Sequence, residues 1–311
     1  MTVHVFGNSP SPAIATYGLR KTVKEVENVF GLDVTQYVER NFYVDDGLTS
    51  QSSVENAVDL MKRTQGALRH GKLCLHKIAS NKQEVMNAFP PSDLSSEMKD
   101  LDLSKDDLPT QRSLGLNWDL HSDSFFFEIS NDDKPFTRRG VLSTINRIFD
   151  PLGFLAPIII QGKSLMRNLI QKTVDWDEPL PEKQSTQWKN WRDSLRHLQN
   201  VHVPRLYLDQ SFSEKRNKTI HVFCDASESA ISAVAYVESD GNLGFILGKS
   251  KLAPLKGHSI PRLELCGAVL AVEIAKCVSE QLELPIEHFK FYSDSKLVLG
   301  LGGFISMWQT E

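Results

Sequence analysis

Asp225, Glu264 and Asp294 are the residues in this chain best suited to chemistry. Asp225 closes the apolar run Thr219 to Cys224, and Asp294 follows Phe289-Lys290-Phe291-Tyr292-Ser293. Glu264 stands among Leu263, Leu265 and Cys266, just after Pro261, in the first turn expected of an otherwise apolar helix. A charge beside so much apolar surface needs a partner. Two acids at strand ends and one on a helix can converge on one face of a sheet. Three convergent carboxylates form a hard-oxygen site suited to Mg²⁺ or Mn²⁺. Such ions activate water and stabilise the leaving oxygen in phosphodiester hydrolysis. Taken singly, each acid is equally an ordinary cap or surface group.

A second acidic feature is Asp45-Asp46, followed by Gly47 and preceded by Phe42-Tyr43-Val44. An aromatic strand running into two acids and a glycine predicts a hairpin with carboxylates at its tip. Adjacent aspartates repel, and a cation would relieve them. The Asp-Gly pair is also plain turn chemistry.

The elements that must place these residues can be read in order. Ser9-Pro10-Ser11-Pro12 starts a helix through Tyr17, Leu19 and Val26. Ser52 and Glu55 read as a capping box for a helix carrying Val54, Ala57, Val58, Met61 and Leu68, stopped near Gly71. Leu73 to Ile78 alternates like a strand. Leu114 to Ile129 reads as a hairpin turning at His121 to Asp123. Thr137 opens a helix broken at Asp150-Pro151, and Pro157 opens another. Trp188, Trp191, Leu195 and Leu198 mark a helix whose aromatics suit a core better than a cofactor. The last third predicts three antiparallel strands (Thr219–Asp225, Ile231–Val237, Gly244–Lys251), a long helix from Pro261, and a strand Phe289–Asp294.

Composition sets the bounds. The chain has 311 residues, 41% hydrophobic and 24% charged, with formal net charge −4. That excludes general disorder and leaves room for more than one core. No apolar run approaches the ~20 residues needed to span a bilayer, and Met1 to Pro10 does not resemble a signal peptide. Cys74, Cys224, Cys266 and Cys277 are scattered, none in a Cys-x-x-Cys pair, and three have apolar neighbours. They read as ordinary thiols in a reducing, intracellular setting. No His-Glu-x-x-His or zinc-finger spacing occurs. The charge is uneven. Pro91 to Pro109 is acidic, whereas Lys134, Arg138, Arg139, Arg147, Lys163, Arg167 and Lys172 face only Asp150 between Lys134 and Lys172. Such a basic stretch is either a solvated face or a footprint for a polyanion.

Together these segments resemble the Pol polyprotein of BEL/Pao LTR retrotransposons. Phe42 to Asp46 is similar to the YxDD box of reverse transcriptases, and Ser11-Pro12-Ala13 resembles the serine-proline segment upstream of it. Leu114 to Asp119, Arg138 to Pro157, Ile260 to Val272 and Phe291 to Gly300 follow the family in order. The resemblance implies an α/β and α+β multidomain chain. Its parts would be a partial reverse transcriptase palm (1–90), an acidic linker (91–113), a mostly helical thumb/connection region (114–210) and an RNase H-like mixed sheet with helices (211–311). It implies polymerase acids at Asp45 and Asp46, with Asp45 a metal ligand, and nuclease acids and metal ligands at Asp225, Glu264 and Asp294. It also implies that Arg138, Arg139, Arg147, Lys163 and Arg167 grip the backbone of an RNA–DNA hybrid or template-primer duplex. Deoxynucleoside triphosphates would bind only in a complete parent Pol, since the chain starts after the expected first palm aspartate. The usual fourth nuclease acid would lie beyond Gly300, where the family pattern stops. The expectation is therefore a Pol fragment with an incomplete polymerase site and metal-dependent ribonuclease H-type chemistry. The alternatives are a catalytically dead nucleic-acid-binding remnant and an aspartic peptidase, because an overlapping region is also called the Pao retrotransposon peptidase. The chain holds no Asp-Thr-Gly or Asp-Ser-Gly loop to support proteolysis.

Overall fold

The computed structural model describes residues 9–44, 46–95, 110–113, 115–129, 134–170, 175–182, 185–208, 218–255 and 257–300. The chain divides into two compact units, Met1–Phe126 and Phe127–Glu311.

The first unit is built on helices α1 (Ser11–Glu25), α2 (Glu27–Phe30), α3 (Leu32–Asn41) and α4 (Val54–His70). Val23, Val34, Val38, Leu60 and Leu68 from α1, α3 and α4 form its core. Burial in that core pushes the Tyr37 phenol up to about 12. Arg63 on α4 crosses to α3, forking onto both carboxylate oxygens of Asp33 at 2.8 and 2.6 Å. The expected hairpin is present as β1 (Phe42–Tyr43) and β2 (Asp46–Gly47), with Tyr43 opposite Asp46 and Val44 at φ 59°. The cap of α4 lies one residue later than expected: Ser53 accepts the Asn56 N–H, while Ser52 meets the Asn56 side chain.

The strand expected at Leu73–Ile78 does not form. Only Ile78 bridges, to Leu94, because Gln65 of α4 takes the Leu75 carbonyl and Lys77 turns the backbone to φ 62°. The short helix α5 (Gln83–Asn87) follows. The hairpin expected around His121 is real, with β4 (Leu116–Asp119) paired to β5 (Ser124–Phe126). A strand not foreseen, β3 (Thr110–Ser113), pairs on the other side of β4.

The second unit begins with α6 (Arg138–Asn146), capped by Thr137 through the Gly140 N–H, as the sequence predicts. Next come α7 (Ala156–Ile170), α8 (Ser185–Ser194) and the short strand β6 (His202–Pro204). Trp188 and Trp191 are buried, so the tryptophans serve the core. Strands β7 (Thr219–Ala226), β8 (Ala230–Ser239) and β9 (Asn242–Leu252) form an antiparallel meander. Asp240 and Gly241 make its second turn at positive φ, the geometry that matches strand twist. Helix α9 (Ile260–Leu282) then returns the chain so that β10 (Phe289–Tyr292) lies parallel to β7, giving the order β10-β7-β8-β9. Helix α10 (Lys296–Gly300) follows. β10 is shorter than expected, ending at Tyr292, two residues before Asp294.

Period-two alternation decides what each face of this sheet does. Ile220, Val222, Ala233, Ala235 and Val237 point toward Leu270, Ala271 and Ile274 of α9 and are fully or almost fully buried. His221, Phe223, Asp225, Tyr236 and Glu238 stand on the opposite face. Part of that face is covered by the loop Asp150-Pro151-Leu152-Gly153-Phe154, which explains why these residues occur together. One Asp150 carboxylate oxygen accepts the N–H groups of Gly153 and Phe154, both at 3.0 Å, and the other accepts that of Leu155 at 2.7 Å. Gly153, at φ 84°, passes so close to Gly248 of β9 that a Cβ would overlap its carbonyl. The Phe154 ring packs on Phe245 with centroids 4.6 Å apart.

Burial raises the Asp150 carboxyl, while the three N–H donors oppose that rise. Asp150→Asn leaves one of the three donors poorly satisfied, so we expect a loss of about 1–3 kcal/mol, read by urea denaturation of the full chain. An unchanged midpoint would show that the loop does not depend on the ionised carboxylate.

Candidate metal centre

β7 and β10 run parallel and carry Asp225 and Asp294 at or just past their carboxyl ends. The in-register pairs Phe223–Tyr292 and Val222–Phe291 place the two acids side by side. Asp225 shares the parity of Phe223 and so stands on the open face. Its Oδ1 accepts the Ala226 N–H at 2.8 Å. Glu264 comes from α9, where it is the fifth helical residue rather than a first-turn residue as expected from sequence. The helix approaches the end of β7 closely: a Cβ on Gly267 would lie 3.4 Å from the Asp225 carbonyl oxygen. That approach carries Glu264 to the two strand acids.

One ligand oxygen from each of Asp225, Glu264 and Asp294 lies within 4.8 Å of the others. Asp225 and Asp294 are exposed, and Glu264 is half-buried. Glu264 is held above the usual carboxylate range by burial first, then by the charges of Asp294 and Asp225. Three mutually repelling hard-oxygen donors are the electrostatic signature of a divalent-cation site, and these residues fit such an ion. Beneath them the thiol of Cys224 is pushed up to about 11 by burial and by the same three acids, so it remains neutral. Cys224 is the buried cysteine and Cys266 is half-buried; Cys277 is exposed, as is Cys74 despite its leucine neighbours.

Asp225, Ser293 and Asp294 form one end of a cavity of about 1110 Å³ over the open face of the sheet. Its wall is aromatic. Phe223 stacks on Tyr292 at 4.6 Å, and Tyr236 meets Phe245 edge-on at 5.7 Å. This ladder escaped the sequence reading, because β7, β8 and β9 each contribute a single phenyl or phenol ring (Phe223, Tyr236 and Phe245) and only strand pairing gathers them.

The other expected site residues are placed differently. Asp46 is exposed on β2 of the first unit and is not part of the acidic cluster; Asp45 lies outside the described residues. Among the bases, Arg138 lies over the Trp176 ring at 4.7 Å. Arg139 forks onto Asp177, with its Nε 2.7 Å from one carboxylate oxygen. Both therefore tie α6 to the segment after α7. Arg147 is half-buried just past α6. Lys163 is exposed on α7, and Arg167 reaches the Ser229 carbonyl at 3.5 Å, in the turn joining β7 to β8. Lys249 on β9, which the sequence reading did not single out, is exposed and lines the cavity. No helix among the described residues is long and apolar enough to cross a membrane.

Comparison with known proteins bears on this geometry. A family model described as "Pao retrotransposon-like RNaseH-like domain" matches residues 137–295. Among solved structures, a foamy viral protease-reverse transcriptase in complex with RNA/DNA hybrid matches at 17% identity and TM-score 0.51, covering 94% of this chain and 33% of that one. A foamy viral protease-reverse transcriptase in complex with dsDNA matches at 17% identity and TM-score 0.48, covering 96% and 53%. The chain thus spans between a third and about half of those proteins. No curated protein matches it.

The raised Glu264 has a stability consequence. Its contribution is fully present below the ordinary glutamate pKa and is lost as pH rises through the higher folded value. At neutral pH the cation-free protein therefore carries the repulsion. Asp294→Asn is expected to raise the thermal midpoint of the cation-free chain by about 2 °C. Adding Mg²⁺ should stabilise the original protein and leave the variant nearly unmoved. A variant that melts lower without cation would contradict the repulsion.

Proposed function

This chain belongs to the Pao retrotransposon-like RNaseH-like domain family, and from that premise we propose that its second unit hydrolyses the RNA strand of an RNA–DNA hybrid. The observation that carries the reading is the meeting of Asp225, Glu264 and Asp294 from two strands and a helix. Asp225 and Asp294 would hold Mg²⁺ or Mn²⁺ from the strand ends, with Glu264 completing the set from α9. The bound ion supplies Lewis-acid charge and an activated water for phosphodiester cleavage. The chain itself presets the ligands: the β7–β10 ladder fixes the spacing of two acids, and the α9 core fixes the third. Preset ligands need little rearrangement when the anionic substrate arrives.

The substrate is a polyanion, so bases must flank the acids. Lys163, Arg167 and Lys249 are the side chains we assign to backbone contacts near the site. Arg138, Arg139 and Arg147 extend the basic surface along and just beyond α6. Contacts of this kind position a duplex without reading its sequence. An A-form hybrid would be distinguished by groove shape and its 2′-hydroxyls. The hybrid named for one foamy viral neighbour agrees with this substrate class.

For the whole chain we propose a piece of a retrotransposon Pol. It would comprise a partial palm over 1–90, an acidic linker over 91–113, a thumb/connection region over 114–210 and the RNase H-like domain over 211–311. Asp45 and Asp46 would be the polymerase-box acids, serving deoxynucleoside triphosphates only within a longer Pol.

The test is cleavage of a labelled RNA–DNA hybrid by the full chain with Mg²⁺. We expect RNA-strand cleavage, reduced by about a hundredfold or more in Asp225→Asn. Hybrid binding that persists without cleavage in the original chain would instead identify a catalytically dead remnant. Lys163→Ala should weaken hybrid binding equally across sequences and lower the slope of binding against salt by about one. An unchanged slope would remove Lys163 from the interface.

A further inference from the structure

A second set of polar side chains occupies the open face of the sheet, with His221 four residues before Asp225 on β7 and Tyr292 two before Asp294 on β10. His221 of β7 places Nδ1 2.9 Å from the Tyr292 hydroxyl on β10 and Nε2 2.7 Å from the Glu238 carboxylate on β8. One imidazole therefore links three neighbouring strands. An ionised Glu238 can only accept, so Nε2 is the nitrogen that donates to it. In the neutral imidazole Nδ1 then accepts from the Tyr292 O–H. The imidazole and phenol rings also stack, with centroids 5.6 Å apart, and the Tyr292 ring stacks on Phe223 as well.

We infer that His221 is a positioning residue for the metal centre, acting through Tyr292 on Asp294. This rests on the function proposed above. Little of the strand ladder holds Asp294. β10 has four residues and pairs with β7. The strand ends at Tyr292, so Asp294 projects two residues beyond the last ladder pair. Side chains compensate. His288 Nδ1 lies 2.7 Å from the Lys218 carbonyl at the start of the strand pair. At its far end the Cys224 thiol donates to the Tyr292 carbonyl at 3.8 Å, a weak bond. The Tyr292 hydroxyl bond to His221, at 2.9 Å, is shorter than that thiol bond. It is also the one whose donor and acceptor roles are fixed by a third group, Glu238.

The function of such a clamp follows from electrostatics. Asp225 and Glu264 repel Asp294, and the cation-free site gains by letting Asp294 swing away. A strand end that resists this keeps the ligand set assembled before the ion arrives. Groups that orient ligands from outside the coordination sphere commonly contribute tenfold or more to affinity.

The experiment uses the full chain and Mn²⁺ alone, titrated by electron paramagnetic resonance. Tyr292→Phe keeps the ring on Phe223 and loses only the hydroxyl, and His221→Phe loses both hydrogen bonds. Each is expected to weaken Mn²⁺ binding roughly tenfold. His221→Gln, whose amide can donate to Glu238 and accept from Tyr292, should restore most of it. Amide hydrogen exchange supplies a readout independent of metal. In Tyr292→Phe, exchange should quicken at Ser293 and Asp294 while the β8–β9 amides keep their protection. Unaltered Mn²⁺ affinity in both phenylalanine variants would overturn the inference, as would uniform loss of protection across the sheet. If the original chain binds no Mn²⁺, or binds it equally well as Asp225→Asn, the nuclease reading fails. Exchange at Ser293 and Asp294 still decides the clamp.

Discussion

The second unit is organised around a repulsion. Three carboxylates with ligand oxygens inside 4.8 Å oppose one another at a strand-and-helix junction, and a fold that keeps them there must hold each by a separate means. β7 is held from both sides, by β8 and β10. α9 is held by its apolar face, where Leu263, Leu270, Ala271 and Ile274 are buried. The hydrophobic energy of that face, ~25 cal/mol per Å² of buried apolar surface, is what keeps Glu264 beside two like charges. The weakest of the three mountings is the short strand under Asp294, and the side-chain ties around Tyr292 cluster there.

The sheet has two different faces for the same reason. Residues of even number on β7 and odd number on β8 meet α9 in a dry core, and the alternate set carries Asp225, Phe223 and Tyr236 of the aromatic ladder, and the His221–Glu238 link. Placing chemistry on the open face leaves the core free of unpaired charge. It also leaves Cys224, one residue before Asp225, on the covered side, where burial keeps it a neutral thiol. The loop beginning at Asp150 belongs to this plan. Its carboxylate gathers three backbone N–H groups so that Gly153 and Phe154 can lie flat against β9.

The basic stretch illustrates how a charge count divides into different roles. Arg138 and Arg139 stand side by side in sequence, yet one lies over an indole and the other pairs with Asp177. Their positive charge remains, but their geometry is committed to holding the start of α6. Lys163 and Arg167 are spaced by four residues on α7 and so share a face of that helix. In the first unit Asp46-Gly47 is strand β2 rather than the turn expected of an Asp-Gly pair, and the residue at positive φ is Val44.

Much of this was legible in the order of residues. Period-two alternation gave the meander, capping and proline placement gave the starts of α6 and α9, and apolar surroundings marked Glu264 as a charge in need of partners. These are local signals, carried by neighbours a few positions apart. The strand expected at Leu73–Ile78 fails because a side chain from α4 takes its carbonyl, a contact across ten residues that alternation cannot report. Nor could the sequence say that Asp225 and Asp294 would lie abreast, since parallel pairing of β7 and β10 has no local signature and depends on the crossover through α9. The His221–Tyr292–Glu238 link has the same origin. Local chemistry determined which residues could act; only the long-range pairing of strands decided which of them meet.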